Sequence, residues 1–83
     1  MKQQYLKEFM KTVLSLKKKN ELNNFFEGIL TPQELIEVPV RLQIVKLLKK
    51  KIPQHEIAKK LGVGIATVTR GSRELKMGRF KYI

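Results

Sequence analysis

Apolar residues recur at three- and four-residue spacing almost from the start of the chain. Between Lys2 and Lys17 they are Tyr5, Leu6, Phe9, Met10, Val13, Leu14 and Leu16, which predicts a helix with a wide apolar stripe. The stripe suits a partner subunit and packing within its own chain equally well. Lys17-Lys18-Lys19 followed by Asn20 predicts the end of that helix, because cations are favourable at a helix C-terminus. Glu21–Leu30 predicts a second, shorter helix with Leu22, Phe25, Phe26 and Ile29. Adjacent phenylalanines cannot share one helical face, so this segment is expected to pack on two sides as core.

Thr31-Pro32-Gln33-Glu34 starts a third helix: Thr31 caps, Pro32 takes the first helical position and Glu34 closes a capping box. The helix is expected to run toward Lys51 with Leu35, Leu42, Val45 and Leu48 as its buried row. Pro39 lacks a backbone donor and crowds the preceding turn, which predicts a kink or restart near Val38–Pro39. Ile52-Pro53 links to the next element.

The residues from Gln54 to Lys76 organise the rest. Ile57, Ala58 and Leu61 lie on one face of a short helix, and Gly62 supplies the left-handed backbone that stops it. After Val63 and Gly64 a further helix carries Ile65, Val68 and Leu75 on one side, and Thr67, Thr69, Arg70, Ser72, Arg73 and Lys76 on the other. Two short helices joined by a glycine turn form the helix-turn-helix pattern, whose second helix enters the DNA major groove. An ordinary αα-hairpin with a solvated face is the competing reading, but such a face favours Glu, Lys and Gln over Thr and Ser.

Charge strengthens the DNA reading. Of the net +11, residues 1–45 contribute seven Lys/Arg against five Asp/Glu, whereas residues 46–83 contribute eleven against two. A polyanion is therefore expected on the second half. A membrane-surface helix would need one long amphipathic segment, and this half is broken by Pro53, Gly62, Gly64 and Gly78. The last seven residues, Met77-Gly78-Arg79-Phe80-Lys81-Tyr82-Ile83, form a basic, aromatic tail that fits a frayed end, a packed flap or a phosphate contact.

The 83 residues are expected to form one domain: dimerisation helices over 1–51, a helix-turn-helix over 54–76 and a tail over 77–83. No cysteine, a single histidine (His55) and no aspartate leave neither a metal site nor a catalytic constellation, so no enzyme is expected. No apolar run reaches the roughly 20 residues a bilayer requires, and the N-terminus is too polar for a secretory signal, which predicts a cytoplasmic domain without membrane contact.

LTPQEL, VRLQIVKLL and LGVGIATVTRGSRELK, in that order from Leu30 to Lys76, resemble the tryptophan operon repressor family. The resemblance implies an all-α helical bundle forming an intertwined homodimer, each subunit presenting a helix-turn-helix to half of a palindromic operator in double-stranded DNA. It maps the DNA contacts to Gly64, Ile65, Ala66, Thr67 and Thr69, and the basic face of the same helix adds Arg70, Arg73 and Lys76. It also implies L-tryptophan as corepressor. Arg41 and Arg70 would sandwich the indole, Val45 and Gly71 would line the pocket, and Leu30 and Thr31 would reach it from the other subunit.

A basic residue that the family uses on the first helix of the motif falls at Ala58, with Lys59, His55 or Arg73 as substitute contacts, and three further departures bear on tryptophan sensing. Glu74 stands where the family's serine meets the ligand's amino group; it suits an ammonium, or it suits Arg70 four residues earlier. The link between Val45 and Gln54 is one residue shorter, and Pro39 lies in the helix of Arg41. The run ends at Ile83 ahead of the family's last helix, so the dimer core is expected to close differently. The leading expectation is a sequence-specific, DNA-binding repressor. A ligand-independent, chromosome-associated protein held mainly by charge is the alternative, and it would lose binding steeply with salt.

Overall fold

A computed structural model describes residues 2–83; Met1, the first residue of the expected domain, lies outside them. The described residues are all-helical: α1 (Lys2–Ser15), α2 (Lys19–Ile29), α3 (Pro32–Lys49), α4 (Gln54–Leu61) and α5 (Ile65–Lys76). The chain divides into two compact units, Met1–Leu35 and Ile36–Ile83, with the boundary inside α3.

In the first unit, α1 stops at Ser15, before the lysine run expected to end it. Its last turn is closed locally: Ser15 donates to the Thr12 carbonyl at 2.6 Å and Lys17 Nζ to the Leu14 carbonyl at 2.9 Å. Lys18 is extended, and Lys19 and Asn20 open α2 instead of closing α1. Phe9 meets Phe25 with ring centroids 5.9 Å apart, and Phe25 meets Phe26 edge-on at 5.6 Å. The two adjacent rings thus touch each other, and Phe25 is the one that reaches α1. Even so, neither α1 nor α2 buries a single side chain completely. The expected capping box is formed: the Thr31 amide donates to Glu34 Oε1 at 2.9 Å, and Thr31 Oγ1 accepts from the Glu34 amide at 3.1 Å.

The second unit holds the core. Ile44 of α3, Ile57 of α4 and Val68 of α5 form a buried cluster, ringed by Leu47, Leu48, Ile52, Ala58, Leu61 and Val63. The buried row of α3 is therefore Ile44–Val45 with Leu48 half-buried, and Leu42 is 41% exposed, contrary to expectation. The stripe that faces α5 runs through Arg41, Ile44 and Leu48, at three- and four-residue spacing, and Leu42 lies off it. Pro39 produces no restart: α3 continues through it. Gly71 lets α5 approach α3 closely, since a Cβ there would stand 3.1 Å from Ile44 Cγ2.

α4 ends as expected at Gly62, which has φ +66°. Val63 then donates back to the Ala58 carbonyl at 3.0 Å, and both side chains join the core cluster, the usual partnership of this helix stop. α3 ends by the same device at a residue that suits it less well. Ile52 donates to the Leu47 carbonyl at 3.2 Å and Lys51 to the Leu48 carbonyl at 2.9 Å, which forces Lys51 to φ +67°. A Cβ in left-handed backbone costs about 1–2 kcal/mol, against about 0.5–1 kcal/mol for the greater freedom glycine loses on folding. Lys51→Gly is therefore expected to raise stability by about 0.5–1 kcal/mol, read as a higher thermal midpoint; a lower midpoint would mean that the lysine side chain contributes more than its backbone strain.

Candidate functional site

A cavity of about 280 Å³ opens in the second unit, lined by Arg41, Ile44, Val45, Thr67, Arg70, Gly71, Glu74, Arg79 and Phe80. Ligand sites run from roughly 300 Å³ upward, so the space stands at their small end. Its composition follows from three elements. One stripe of α3 supplies Arg41, Ile44 and Val45; Gly71 on α5 leaves room opposite them; and the tail adds Phe80. The apolar residues make the walls, and three arginines face one carboxylate, that of Glu74.

Arg41 also approaches Glu37 at 4.0 Å, one helical turn earlier on the exposed side of α3. Arg70 has no carboxylate in ion-pair range among the described residues, so Glu74 does not hold it. The partner of Glu74 is Arg79, with Nε to Oε1 at 3.3 Å. Gly78 produces that pairing. At φ +84° it turns the chain after α5, the Gly78 amide donates to the Leu75 carbonyl at 3.0 Å, and the Arg79 amide donates to that of Glu74 at 3.2 Å. This pair of bonds is a Schellman motif, which sets the residue after the glycine over the last full turn of the helix. Here an ion pair takes the place of the apolar contact that usually accompanies it.

The tail is folded back rather than frayed. Lys49 Nζ, at the end of α3, donates to the carbonyls of Phe80 and Ile83. This lysine thus holds the tail and Phe80 at the cavity.

Of the expected ligand residues, Arg41, Val45, Arg70, Gly71 and Glu74 come together in this cavity. Leu30 and Thr31 lie in the first unit, at the junction of α2 and α3. Ile44, Thr67, Arg79 and Phe80 line the cavity without having been read as ligand residues. Ile44 follows Arg41 at three-residue spacing, and Gly78 is the signal that carries Arg79 to Glu74.

The expected DNA residues lie on α5 and its approach. Gly64 is extended and precedes the helix, and Ile65, Ala66, Thr67, Thr69, Arg70, Arg73 and Lys76 are all exposed. Ile65 is 52% exposed, outside the core side to which the pattern assigned it, and Ser72 is half-buried rather than on the open face. Ile65 is the first residue of α5, and Ser72 flanks the close approach at Gly71. Thr69 Oγ1 donates to Gln54 Oε1 at 2.8 Å, tying α5 to the first residue of α4. Thr67 and Arg70 belong to both surfaces, exposed on α5 and lining the cavity.

A family model described as Trp repressor protein matches residues 4–83. The chain belongs to the Trp repressor family. It is similar to a Trp operon repressor homolog of Actinobacillus succinogenes, 44% identical over 70 residues that cover 83% of this chain and 69% of that protein. The corresponding homolog of Pasteurella multocida is 41% identical over 70 residues, 83% of this chain and 66% of its own. That of Mannheimia succiniciproducens is 54% identical over 50 residues, 59% of this chain and 50% of its own length. The chain thus spans between about half and two thirds of these relatives. No solved structure matches it. Trp repressors are transcription regulators, not enzymes. No helix among the described residues is long and apolar enough to cross a membrane.

Proposed function

We propose that this chain is a sequence-specific DNA-binding repressor that acts as a homodimer, with the α3–α5 cavity as the site of an aromatic corepressor such as L-tryptophan. The carrying observation is that α5 presents Thr67, Arg70, Arg73 and Lys76 to solvent while Thr67 and Arg70 also line the cavity. A ligand seated there touches the helix that reads DNA, so its binding biases the geometry of the reading surface. α4, the turn at Gly62–Gly64 and α5 act as the helix-turn-helix, with the start of α5 in the major groove. Gly64, Ile65 and Ala66 come close to the base edges because they are small or apolar, and Arg73 and Lys76 meet phosphates. Thr69 acts through Gln54, whose amide oxygen it fixes.

Supporting this reading are family membership and the placement of twelve Lys/Arg against three Glu in residues 36–83. The homodimer is supported by the first unit, whose apolar residues Tyr5, Leu6, Met10, Leu14 and Ile29 are exposed in the single chain.

The test is binding to the DNA upstream of the protein's own gene, and to unrelated DNA, at fixed near-physiological salt with and without L-tryptophan. Preference for the upstream DNA, increased by tryptophan, is the expected result. Equal binding to both DNAs, lost steeply with salt, would replace it with a charge-driven, chromosome-associated role. Thr67→Ala should weaken operator binding by about 1–3 kcal/mol while leaving random DNA unaffected. Equal losses on both would remove Thr67 as a sequence reader.

A further inference from the structure

We propose that the tail is an autoinhibitory strap: a latch at Lys49 lodges Phe80 at the α3–α5 cavity, and the site fills only when that latch lets go. The inference rests on the reading of the cavity as a corepressor site and adds a control on access to it.

The strap is hinged at one place and latched at another. At its α5 end the Gly78 amide donates to the Leu75 carbonyl and the Arg79 amide to that of Glu74, so the chain is fixed as far as Arg79. From Phe80 onward it is held differently. The Ile83 amide donates to the Phe80 carbonyl at 3.3 Å, which closes a turn, and Lys49 Nζ donates to the carbonyls of both residues. Lys81 lies over the ring of Tyr82, 5.3 Å from its centroid, a contact inside the strap that ties it to neither helix. Among the described residues, one ammonium of α3 therefore carries the polar attachment of the strap.

Exposure makes that latch reversible. Lys49, Lys81, Tyr82 and Ile83 are exposed, and Phe80 is the half-buried member of the strap. Water reaches the ammonium and competes for it. Lys49 is also the last residue of α3, where the helix dipole stabilises a cation whether or not the strap is in place. Release therefore breaks exposed hydrogen bonds and uncovers one ring, while the core of Ile44, Ile57 and Val68 stays closed.

Phe80 determines what the latch controls. With its ring in the wall the cavity measures about 280 Å³, at the small end of ligand sites. The ring shares the lining with Ile44 and Val45, the apolar surface that an aromatic ligand would use. A latched strap and a seated ligand thus compete for one space. The apparent affinity falls in proportion to the fraction of molecules that are unlatched.

The test has two arms. The chain contains no tryptophan, so Phe80→Trp places a single indole on the strap. Adding Lys49→Met should shift its emission to the red and increase its quenching by acrylamide. Adding Lys50→Met, which removes a neighbouring exposed charge, should do neither. In the second arm L-tryptophan is titrated by calorimetry into the intact protein and into each lysine variant with Phe80 in place, with helical content checked by circular dichroism. Lys49→Met should tighten binding about threefold to tenfold, the worth of a charge-assisted hydrogen bond discounted for exposure. Lys50→Met should leave it unchanged. Emission that ignores Lys49→Met, or an affinity that stays the same or weakens, would overturn the strap and leave the cavity as a ligand site. Absence of tryptophan binding in every folded variant would remove the corepressor reading, and the strap's function with it.

Discussion

Replacing Ile57 with alanine is expected to lower the stability of the second unit by about 2–5 kcal/mol, the cost of cutting a branched side chain from a closed core. Ile57 is 0% exposed, and its cluster partners Ile44 and Val68 are 1% and 0% exposed. One residue from each of α3, α4 and α5 thus makes the fully buried centre, and among the described residues no second buried cluster stands behind it. The cavity left by the truncation cannot be filled easily. Gly71 already brings α5 into tight contact with Ile44, and α4 is fixed at both ends by Pro53 and the left-handed Gly62. Domains are stable by only about 5–15 kcal/mol, so the variant is expected to be partly unfolded at moderate temperature. On the proposed function it should lose ligand and DNA binding together, since both proposed surfaces are built on α5. Urea unfolding followed by circular dichroism measures the change. A loss under about 1 kcal/mol would mean that the helices close over the gap, and that the second unit is held by its partly buried ring instead.

The elements around this core were legible because their signals are local. Thr31 and Glu34 form their reciprocal cap, Gly62 takes the backbone that its position after Leu61 demands, and α4 and α5 begin and end where their patterns place them. What escaped depends on partners distant in sequence or on competing local chemistry. Leu42 and Ile44 are equally apolar, and only the approach of α5 at Gly71 selects the Ile44 face. The lysine run serves the end of α1 through its first member, Lys17, which with Ser15 caps carbonyls of the last turn, whereas Lys19, expected to belong to the same helix end, already opens α2. Pro39 removes one bond from α3 while the turns on both sides keep theirs, so the helix continues.

The candidate site shows the same division. Arg41, Val45, Arg70, Gly71 and Glu74 were found through resemblance to a family, and they do meet in one cavity. Arg79 lies outside the matched run that carried that resemblance. Its placement follows from Gly78, a glycine two residues beyond α5 in the basic, aromatic tail. The fold of the tail rests on Lys49, more than thirty residues away, and no spacing rule links the two.

On the proposed homodimeric reading, Leu14→Lys is expected to convert the dimer to monomers and to lower operator affinity by about 10²–10⁴-fold, the advantage of engaging two half-sites at once. Leu14 is 72% exposed in the single chain, so a lysine there removes little intrachain packing. Lysine is nearly as good a helix former as leucine, and a cation near the end of α1 is favoured by the helix dipole. Loss of helix is therefore not the expected route to any defect. Burying the new charge in an apolar subunit interface is costly unless it is paired. The added charge should also leave binding to random DNA undiminished, since that binding follows phosphate neutralisation. The signature is thus a smaller sedimentation coefficient and weak operator binding, with unchanged helical content and non-specific affinity. An unchanged sedimentation profile would place the subunit contact away from the stripe of α1, and the exposed Tyr5, Leu6 and Met10 would need another cover.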